Sequence, residues 1–186
     1  QEALKRTLPT TSFRIFSGTD NPIANFLSAQ QLNYNRMKVS LETSPELGLK
    51  GDAYLYGLRT DSLSLDTIYF NTSQAEGKIL FSSGVKAGTK PFQEAFDVSV
   101  EGDIGSDDAH TLITYLNGKK ECGVSLGLLA RIHEYGFSVH VSPENPTLVY
   151  RTFHANPHNY VNISDNGRIQ ANLSLFDENH TGIHFY

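Results

Sequence analysis

Residues 168–175 alternate between polar and apolar side chains without interruption, and this pattern constrains the fold more than any other part of the sequence. The polar set is Arg168, Gln170, Asn172 and Ser174, and the apolar set is Ile169, Ala171, Leu173 and Leu175. A period of two is typical of a strand with one wet face and one buried face. Residues 160–163 alternate in the same way, and Asp165-Asn166-Gly167 separates the two runs. Because Asn and Gly tolerate positive φ, the pattern predicts a β-hairpin.

The same alternation recurs through most of the chain. We expect about a dozen strands, at residues 37–42, 51–59, 62–70, 78–83, 96–101, 109–116, 121–131, 137–142, 147–153, 160–163, 168–175 and 182–186. A second hairpin turn is expected at Asn117-Gly118, and residues 84–91, rich in Gly, Lys and Pro, are expected to form a flexible loop. Residues 12–17 are only a short apolar patch. Alternation alone does not distinguish parallel from antiparallel neighbours.

One helix is predicted, over about residues 22–32. Asn21 fits the N-cap, Pro22 fits the first helical position, and Ile23, Phe26 and Leu27 fall on one face. Strands follow from about residue 37 to residue 186, and no shift in composition divides the chain. We therefore expect residues 1–186 to form a single β-rich segment. Its fold class would be all-β with one short helix, as an elongated multi-stranded sheet curled into a groove or a sandwich.

Composition excludes several classes of protein. The chain has 186 residues, a net charge of −5 and no clusters of Lys or Arg, which argues against a nucleic-acid surface. It has no run of about 18 apolar residues, so no membrane-spanning helix is expected. The sequence starts at Gln1 and ends within an apolar strand pattern, from which we expect a piece of a longer protein.

No catalytic residue, cofactor or metal site is predicted. The histidines include pairs spaced four apart, but that spacing faces a common ligand only on a helix, and these pairs fall in strand or loop sequence. The single cysteine, Cys122, alternates with Val124 and Leu126. We therefore expect it to be a buried structural thiol, since a reactive thiol needs a partly exposed, electropositive setting.

Thirteen apolar residues of the alternating runs are predicted to point inward, where they face lipid or fill a core. They are Phe96, Val98, Val100, Val124, Leu126, Leu128, Phe137, Val139, Val141, Ile169, Ala171, Leu173 and Leu175. The apolar face of a strand has the same pattern against protein as against lipid. The alternation therefore leaves an open groove and a closed core as alternatives.

Several longer stretches resemble one family. The sequence SPELGLKG at residues 44–51, followed by YGLRTDSLSLDTIYF at residues 56–70, is similar to TamB proteins of the AsmA-like superfamily. The sequences PTLVYRTF at 146–153, NYV at 159–161 and GRIQANL at 167–173 resemble the continuation of the same family, as do Asn156 and the acidic pair at 177–178 before Thr181-Gly182-Ile183. The similarity covers about residues 18–186.

This resemblance implies a function without catalysis. TamB-like proteins are long chains of Gram-negative bacteria, anchored in the inner membrane by an N-terminal helix and crossing the periplasm. Their repeated strands form a long curled sheet with an apolar groove. They are implicated in phospholipid transport between the inner and outer membranes, or in outer-membrane protein assembly. The implied partners are phospholipid acyl chains and an outer-membrane barrel protein. Burial of acyl chains is favourable by about 25 cal/mol per Å².

A second hypothesis is an extracellular or periplasmic β-sandwich that binds a carbohydrate or protein ligand. Its contact residues would be Tyr54, Tyr56 and Tyr69, because exposed aromatic rings on a sheet can bind sugars or proteins. A closed sandwich with these tyrosines in a surface cleft would favour the binding module. A sheet with an apolar face open at one or both ends would favour the lipid-transport segment.

Overall fold

The computed structural model describes residues 8–185 and shows an all-β chain with one short helix, which confirms the predicted fold class. The strands are β1 (Thr11–Ser17), β2 (Arg36–Ser44), β3 (Gly48–Arg59), β4 (Ser64–Ala75), β5 (Lys78–Ala87), β6 (Phe96–Ile104), β7 (Asp108–Asn117), β8 (Cys122–His133), β9 (Gly136–Val141), β10 (Thr147–Leu148), β11 (Arg151–Ala155), β12 (Tyr160–Ser164), β13 (Ile169–Asp177) and β14 (Gly182–Phe185). The helix α1 (Pro22–Ala29) lies between β1 and β2.

All fourteen strands belong to one curled antiparallel sheet. From β1 to β8 each strand pairs with the next one along the chain, as expected of a meander. The antiparallel direction, which alternation could not establish, follows from connections of only a few residues at most of these turns. Residue 186, where the last predicted strand ends, lies outside the described residues.

The remaining strands continue the meander. At two places across the sheet, however, a single strand position is filled by two short strands that lie end to end. The C-terminal half of β8 pairs with β9 and its N-terminal half with β10, so β9 and β10 follow one another along the same edge. The six-residue step from Val141 to Thr147 spans only three residues of β8. In the same way β11 and β12 follow one another along β13, and the five-residue step from Ala155 to Tyr160 spans three residues of β13. The fourteen strands therefore occupy twelve positions, with β14 at the end.

Asn159 closes the second interruption. This side chain is almost completely buried. Its Oδ1 accepts the Val141 N–H at 2.7 Å and its Nδ2 donates to the Val141 carbonyl at 3.2 Å. The amide side chain thus replaces the backbone pairing that the extra residues remove. Interrupted positions of this kind increase local twist and bend a strand.

The two predicted hairpin turns are confirmed. Gly167 has a φ of 79°, its N–H donates to the Ser164 carbonyl at 2.8 Å, and β12 and β13 pair on either side. In the β7–β8 turn the residue with positive φ is Lys120, at 63°, rather than Gly118. There Asn117 Oδ1 accepts the N–H groups of Lys119 and Glu121 at 2.9 and 3.0 Å.

The helix α1 begins where the sequence predicted it. Asn21 Oδ1 accepts the N–H groups of Ile23 and Ala24 at 3.0 and 3.1 Å, as an N-cap does. The helix ends at Ala29, three residues before the predicted end. Ile23 and Phe26 are exposed, and Ala24 is the buried residue of the helix. The helix lies at the β1 end of the sheet, in the connection between β1 and β2.

Three local expectations were wrong. Residues 12–17 are the edge strand β1, which pairs with β2 along its whole length. The expected loop at 84–91 begins later, because β5 continues to Ala87 and the ring of Tyr69 lies over Gly84. The expected strand at 147–153 is divided by a two-residue turn at Val149 and Tyr150, whose φ angles are 51° and 62°.

Few side chains are fully buried. Val141, Ala155 and Leu175 form a small core, with Leu126, Leu128, Leu148, Phe153 and Leu173 packed against it. The accessible surface of the chain is 11981 Å². A compact protein of 20.6 kDa is expected to expose about 8,900 Å². This excess surface is what a single-layer sheet has and a closed sandwich lacks.

Candidate functional site

Strand register divides the side chains between an apolar face and a polar face. Partners in antiparallel strands point to the same side of a sheet. One continuous row of such partners crosses seven strands: Met37, Leu55, Ile68, Val85, Val98, Tyr115 and Val124. The next row on the same side is Val39, Ala53, Phe70, Ser83, Val100, Ile113 and Leu126. We call the side that carries these two rows the apolar face.

All thirteen predicted inward residues fall on the apolar face. The rows include Val98, Val100, Val124 and Leu126, and Phe96 and Leu128 lie two residues beyond them on the same face of β6 and β8. The pairs Leu128–Val141, Val139–Val161 and Val161–Ala171 extend it through β9 and β12 to β13. Burial divides the set, because Val141 and Leu175 are in the core while Phe137 and Ile169 are 41% and 65% exposed. The register brings these residues to one surface, and their burial shows a small core around Val141 and Leu175 with exposed residues on both sides of it.

The open half of the apolar face lies over β2 to β8. Phe70 and Leu41 are 46% and 39% exposed there, and most other apolar side chains of the two rows are half-buried by their neighbours alone. The strands of residues 8–185 belong to one sheet, and most apolar side chains of the two rows keep part of their surface exposed to water. Seven strands spaced about 4.8 Å apart give the rows a length of about 29 Å. Water therefore meets an apolar strip about as long as the hydrocarbon core of a bilayer is thick.

A recess of about 490 Å³ opens at one rim of the apolar face, where strands β6 to β9 begin or end. Its lining residues are Ile104, Gly105, Asp108, Ala109, Ala130, Ile132, His133, Gly136, Phe137 and Asp165. Ile132 and Phe137 are 65% and 41% exposed. We call this cavity the apolar recess. Apart from Phe137, the sequence did not indicate its members, because they come from four strands and a turn whose register is needed to bring them together.

The three tyrosines of the alternative hypothesis lie on the polar face. The ring of Tyr54 stacks on those of Tyr56 and Tyr69, with centroid distances of 5.8 and 6.4 Å. Arg36 lies 4.5 Å from the centroid of Tyr56, and Lys38 lies 5.9 Å from that of Tyr54. All three tyrosines are half-buried by these contacts. They act first as cross-strand packing on the solvated side of the sheet.

A cleft of about 390 Å³ on the polar face includes Tyr54 and the charged residues Lys38, Lys50 and Asp52. Lys38 Nζ lies 2.9 Å from Asp52 Oδ2. The Ser40 hydroxyl, which donates to Asp52 Oδ1 at 2.5 Å, and the Lys38 ammonium hold the pKa of Asp52 below its ordinary value. The carboxylate therefore stays ionised and paired at neutral pH, which suits a solvated ladder better than an acid–base catalyst.

A second ion-pair ladder follows the same pattern on β5 to β7. Lys78 Nζ lies 2.6 Å from Asp103 Oδ1, and His110 Nδ1 lies 3.2 Å from the same oxygen. The Lys78 ammonium, and then His110, lower the pKa of Asp103, while Asp103 raises the pKa of Lys78. Each of these groups is already engaged by its neighbours on the polar face.

Cys122 is exposed, contrary to expectation. Tyr115 pairs with Val124 but Leu116 pairs with Cys122, so Gly123 is an extra residue in β8. This bulge shifts the alternation by one and moves Cys122 to the polar face with Leu116. Its thiol donates to the Val124 carbonyl at 3.3 Å.

Within the described residues, no group of three His, Cys, Asp or Glu side chains converges to hold a metal ion. No helix between residues 8 and 185 is long and apolar enough to cross a bilayer. Searches against family models, curated proteins and solved structures gave no match to this chain. The candidate site is therefore defined by the chain's own geometry: the open apolar face and the recess at its rim.

Proposed function

We propose that this chain is a non-catalytic segment that binds phospholipid acyl chains along its apolar face. The observation that supports the proposal is the pair of apolar rows, which cross seven strands and keep part of their side-chain surface exposed. An acyl chain makes no hydrogen bonds and gains about 25 cal/mol for each Å² of apolar surface that leaves water. A continuous strip of side chains without exposed backbone groups suits such a ligand.

The wider role that we propose is that of a TamB/AsmA-like protein of the Gram-negative envelope. The segment would lie in the periplasm, in a protein anchored to the inner membrane, and would serve phospholipid transport to the outer membrane. Assembly of outer-membrane proteins with a barrel partner is the other role of that family. The resemblance of residues 18–186 supports this setting, and the single-layer sheet with one apolar face is compatible with it.

Native mass spectrometry of the chain, after purification without detergent and incubation with phospholipid vesicles, tests the proposal. We expect bound phospholipid on the wild type. Val98→Arg places a cation inside the first apolar row, and Ser99→Arg places the same cation on the polar face one residue later. We expect at least a tenfold loss of bound lipid in the first variant and little change in the second.

Folding and binding are separated by the same pair of variants. Val98 is half-buried on the open half of the face, so an arginine there keeps contact with water and the sheet should remain folded, as circular dichroism would show. A wild type that takes up no phospholipid would sink the proposal. So would equal lipid uptake by the folded Val98→Arg and Ser99→Arg proteins.

The alternative is a binding module that uses the polar face. The specific observation in its favour is the 390 Å³ cleft beside Tyr54, with Lys38, Lys50 and Asp52 in its lining. Tyr54→Ala should then abolish retention on a glycan array while lipid uptake is unchanged. If no glycan is retained by the wild type, or if Tyr54→Ala retains it equally, the carbohydrate form of this alternative fails.

A further inference from the structure

Resting on the proposed function, we propose that the apolar recess is a discrete site for one acyl chain of a zwitterionic phospholipid, whose ammonium group lies beside Asp165. The open half of the apolar face is a broad surface of side chains from seven strands. The recess differs from it by being concave, because residues of β6 to β9 surround a volume of about 490 Å³. This volume lies within the range of small-molecule sites in proteins, about 300–1,000 Å³.

The lining of the recess favours an acyl chain over a peptide. Ile104, Ala109, Ala130, Ile132 and Phe137 supply most of it, and their side chains come from the faces of paired strands. The pairs Ile104–Ala109, Ala109–Ala130 and Ile132–Phe137 show that the backbone groups around the recess already belong to ladders. A peptide strand would find no free edge to pair with there, whereas a hydrocarbon chain needs none.

Small side chains make room for the ligand. Ala109 and Ala130 are cross-strand partners in the floor, with larger Ile104 and Ile132 on either side. Ile132 is 65% exposed and Phe137 is 41% exposed, although both lie against an apolar cavity. A bound chain would remove both from water.

The polar residues of the recess indicate which headgroup lies at its mouth. Asp108 is 4.0 Å from the Lys78 ammonium, which partly offsets its charge. Asp165 sits in the β12–β13 turn, where its N–H donates to the Tyr135 carbonyl at 3.1 Å, and its carboxylate has no partner among the described residues. An ammonium group gains energy beside this carboxylate, whereas the carboxylate of a free fatty acid is repelled. The substrate class is therefore a lipid such as phosphatidylethanolamine.

The first experiment fills the recess. Ala130→Trp projects an indole into it, and Leu129→Trp places the same ring on the opposite face one residue earlier. Lipid occupancy is measured by native mass spectrometry with phosphatidylethanolamine vesicles. We expect Ala130→Trp to reduce occupancy at least tenfold and Leu129→Trp to leave it unchanged.

A second pair of variants changes exposed residues, whose substitution is less disruptive to folding. Ile132→Asn replaces an exposed lining residue, and Tyr135→Asn replaces an apolar residue that is 71% exposed at the same rim but does not line the recess. We expect a loss of occupancy only in the first. Bound lipid on the wild type with equal occupancy in Ile132→Asn overturns the recess site and leaves the proposed function standing. Absence of lipid on the wild type overturns both.

The second experiment tests the headgroup. Vesicles of phosphatidylethanolamine, vesicles of phosphatidylglycerol and oleic acid are compared as ligands of the wild type and of Asp165→Asn. We expect the wild type to prefer phosphatidylethanolamine at least fivefold and Asp165→Asn to lose that preference. Glu134→Gln removes a charge from the neighbouring turn outside the recess and should keep it. Equal preference in the wild type and Asp165→Asn would remove Asp165 from the site.

Discussion

At the scale of residues, buried polar side chains form hydrogen bonds with backbone groups that lose their strand partner where a strand ends. Asn159 supplies a donor and an acceptor to Val141 between β11 and β12. Asp177, at the end of β13, supplies only an acceptor: its Oδ1 accepts the N–H groups of Asn179 and Thr181, both at 2.9 Å. Unpaired buried backbone groups are costly. These two side chains therefore allow the chain to leave the sheet without losing its hydrogen bonds.

Asp177 also makes stability depend on pH. The Thr181 N–H, followed by the Asn179 N–H and Arg151, lowers the pKa of Asp177 below its ordinary value of 3.8. A carboxyl whose pKa is lowered on folding stabilises the fold above its unfolded pKa and loses that contribution as the pH falls through its folded pKa. We expect Asp177→Asn to be less stable than the wild type at pH 7 and the difference to shrink below about pH 4.

Urea unfolding at several pH values measures this difference, with Asp165→Asn as the matched control in an exposed turn. The control should show no comparable pH-dependent difference from the wild type. A difference for Asp177→Asn that stays constant from pH 7 to pH 3 would show that the charge of Asp177 does not stabilise the fold.

At the scale of elements, the β10–β11 turn is made of unusual residues. Two-residue turns with positive φ at both positions normally contain Asn and Gly, but here they are Val149 and Tyr150. A β-branched residue in this conformation is strained by roughly 1–3 kcal/mol. Val149 is 77% exposed, so packing of its side chain does not offset the strain energy at that position.

Replacement of the strained residue should stabilise the protein. Val149→Asn substitutes a residue that tolerates positive φ, and we expect it to raise the free energy of unfolding by about 1 kcal/mol. Thermal and urea denaturation provide the measurement. Thr89→Asn, at an exposed position without positive φ, should leave stability within about 0.5 kcal/mol of the wild type. A destabilised Val149→Asn protein would mean that the valine contributes contacts that outweigh its strain.

The contrast between turns explains how much of the fold could be predicted. The hairpin at Asn166-Gly167 was predicted because a glycine stands where the turn needs a positive φ, at Gly167. The turn at Val149 was missed because nothing local distinguishes it from a strand, and tertiary pairing imposes it. Cys122 was misplaced for a related reason: the extra residue Gly123 leaves the alternation of apolar residues intact in sequence while reversing the face in the structure.

The candidate site was predictable to a similar extent. Alternation within each strand was sufficient to select Val98, Leu126 or Leu173 as residues of one face. It could not show that Leu126 and Leu173 pack against the core while Val98 remains on the open half. That distinction depends on the curvature of the sheet, and the apolar recess depends on the register between four strands. Neither is present in a local pattern.

At the scale of the whole molecule, the chain is a broad single layer. Twelve strand positions spaced about 4.8 Å apart give the sheet a contour width of roughly 53 Å. The exposed area of 11981 Å² fits this shape. The alternation of residues left an open face and a closed sandwich as alternatives. The two differ in the overall dimensions of the molecule, which can be measured.

Small-angle X-ray scattering answers that question in solution. A compact chain of 186 residues has a radius of gyration of about 16 Å. We expect a clearly larger value for the monomer, with the scattering profile of a flattened particle. A radius at or below the compact value would mean that the two halves of the sheet fold onto each other and close the apolar face.

The meander order has a consequence for how the molecule holds together. Extensive backbone contacts between strands join only those that share a ladder, so outside the small core each strand depends mainly on its immediate neighbours. Such an array resembles a repeat protein, in which stability is a sum of nearest-neighbour terms and cooperativity weakens with length. Unfolding is then expected to start as fraying from an outer strand. Any chain segment that pairs with that strand would therefore slow the unfolding of the sheet.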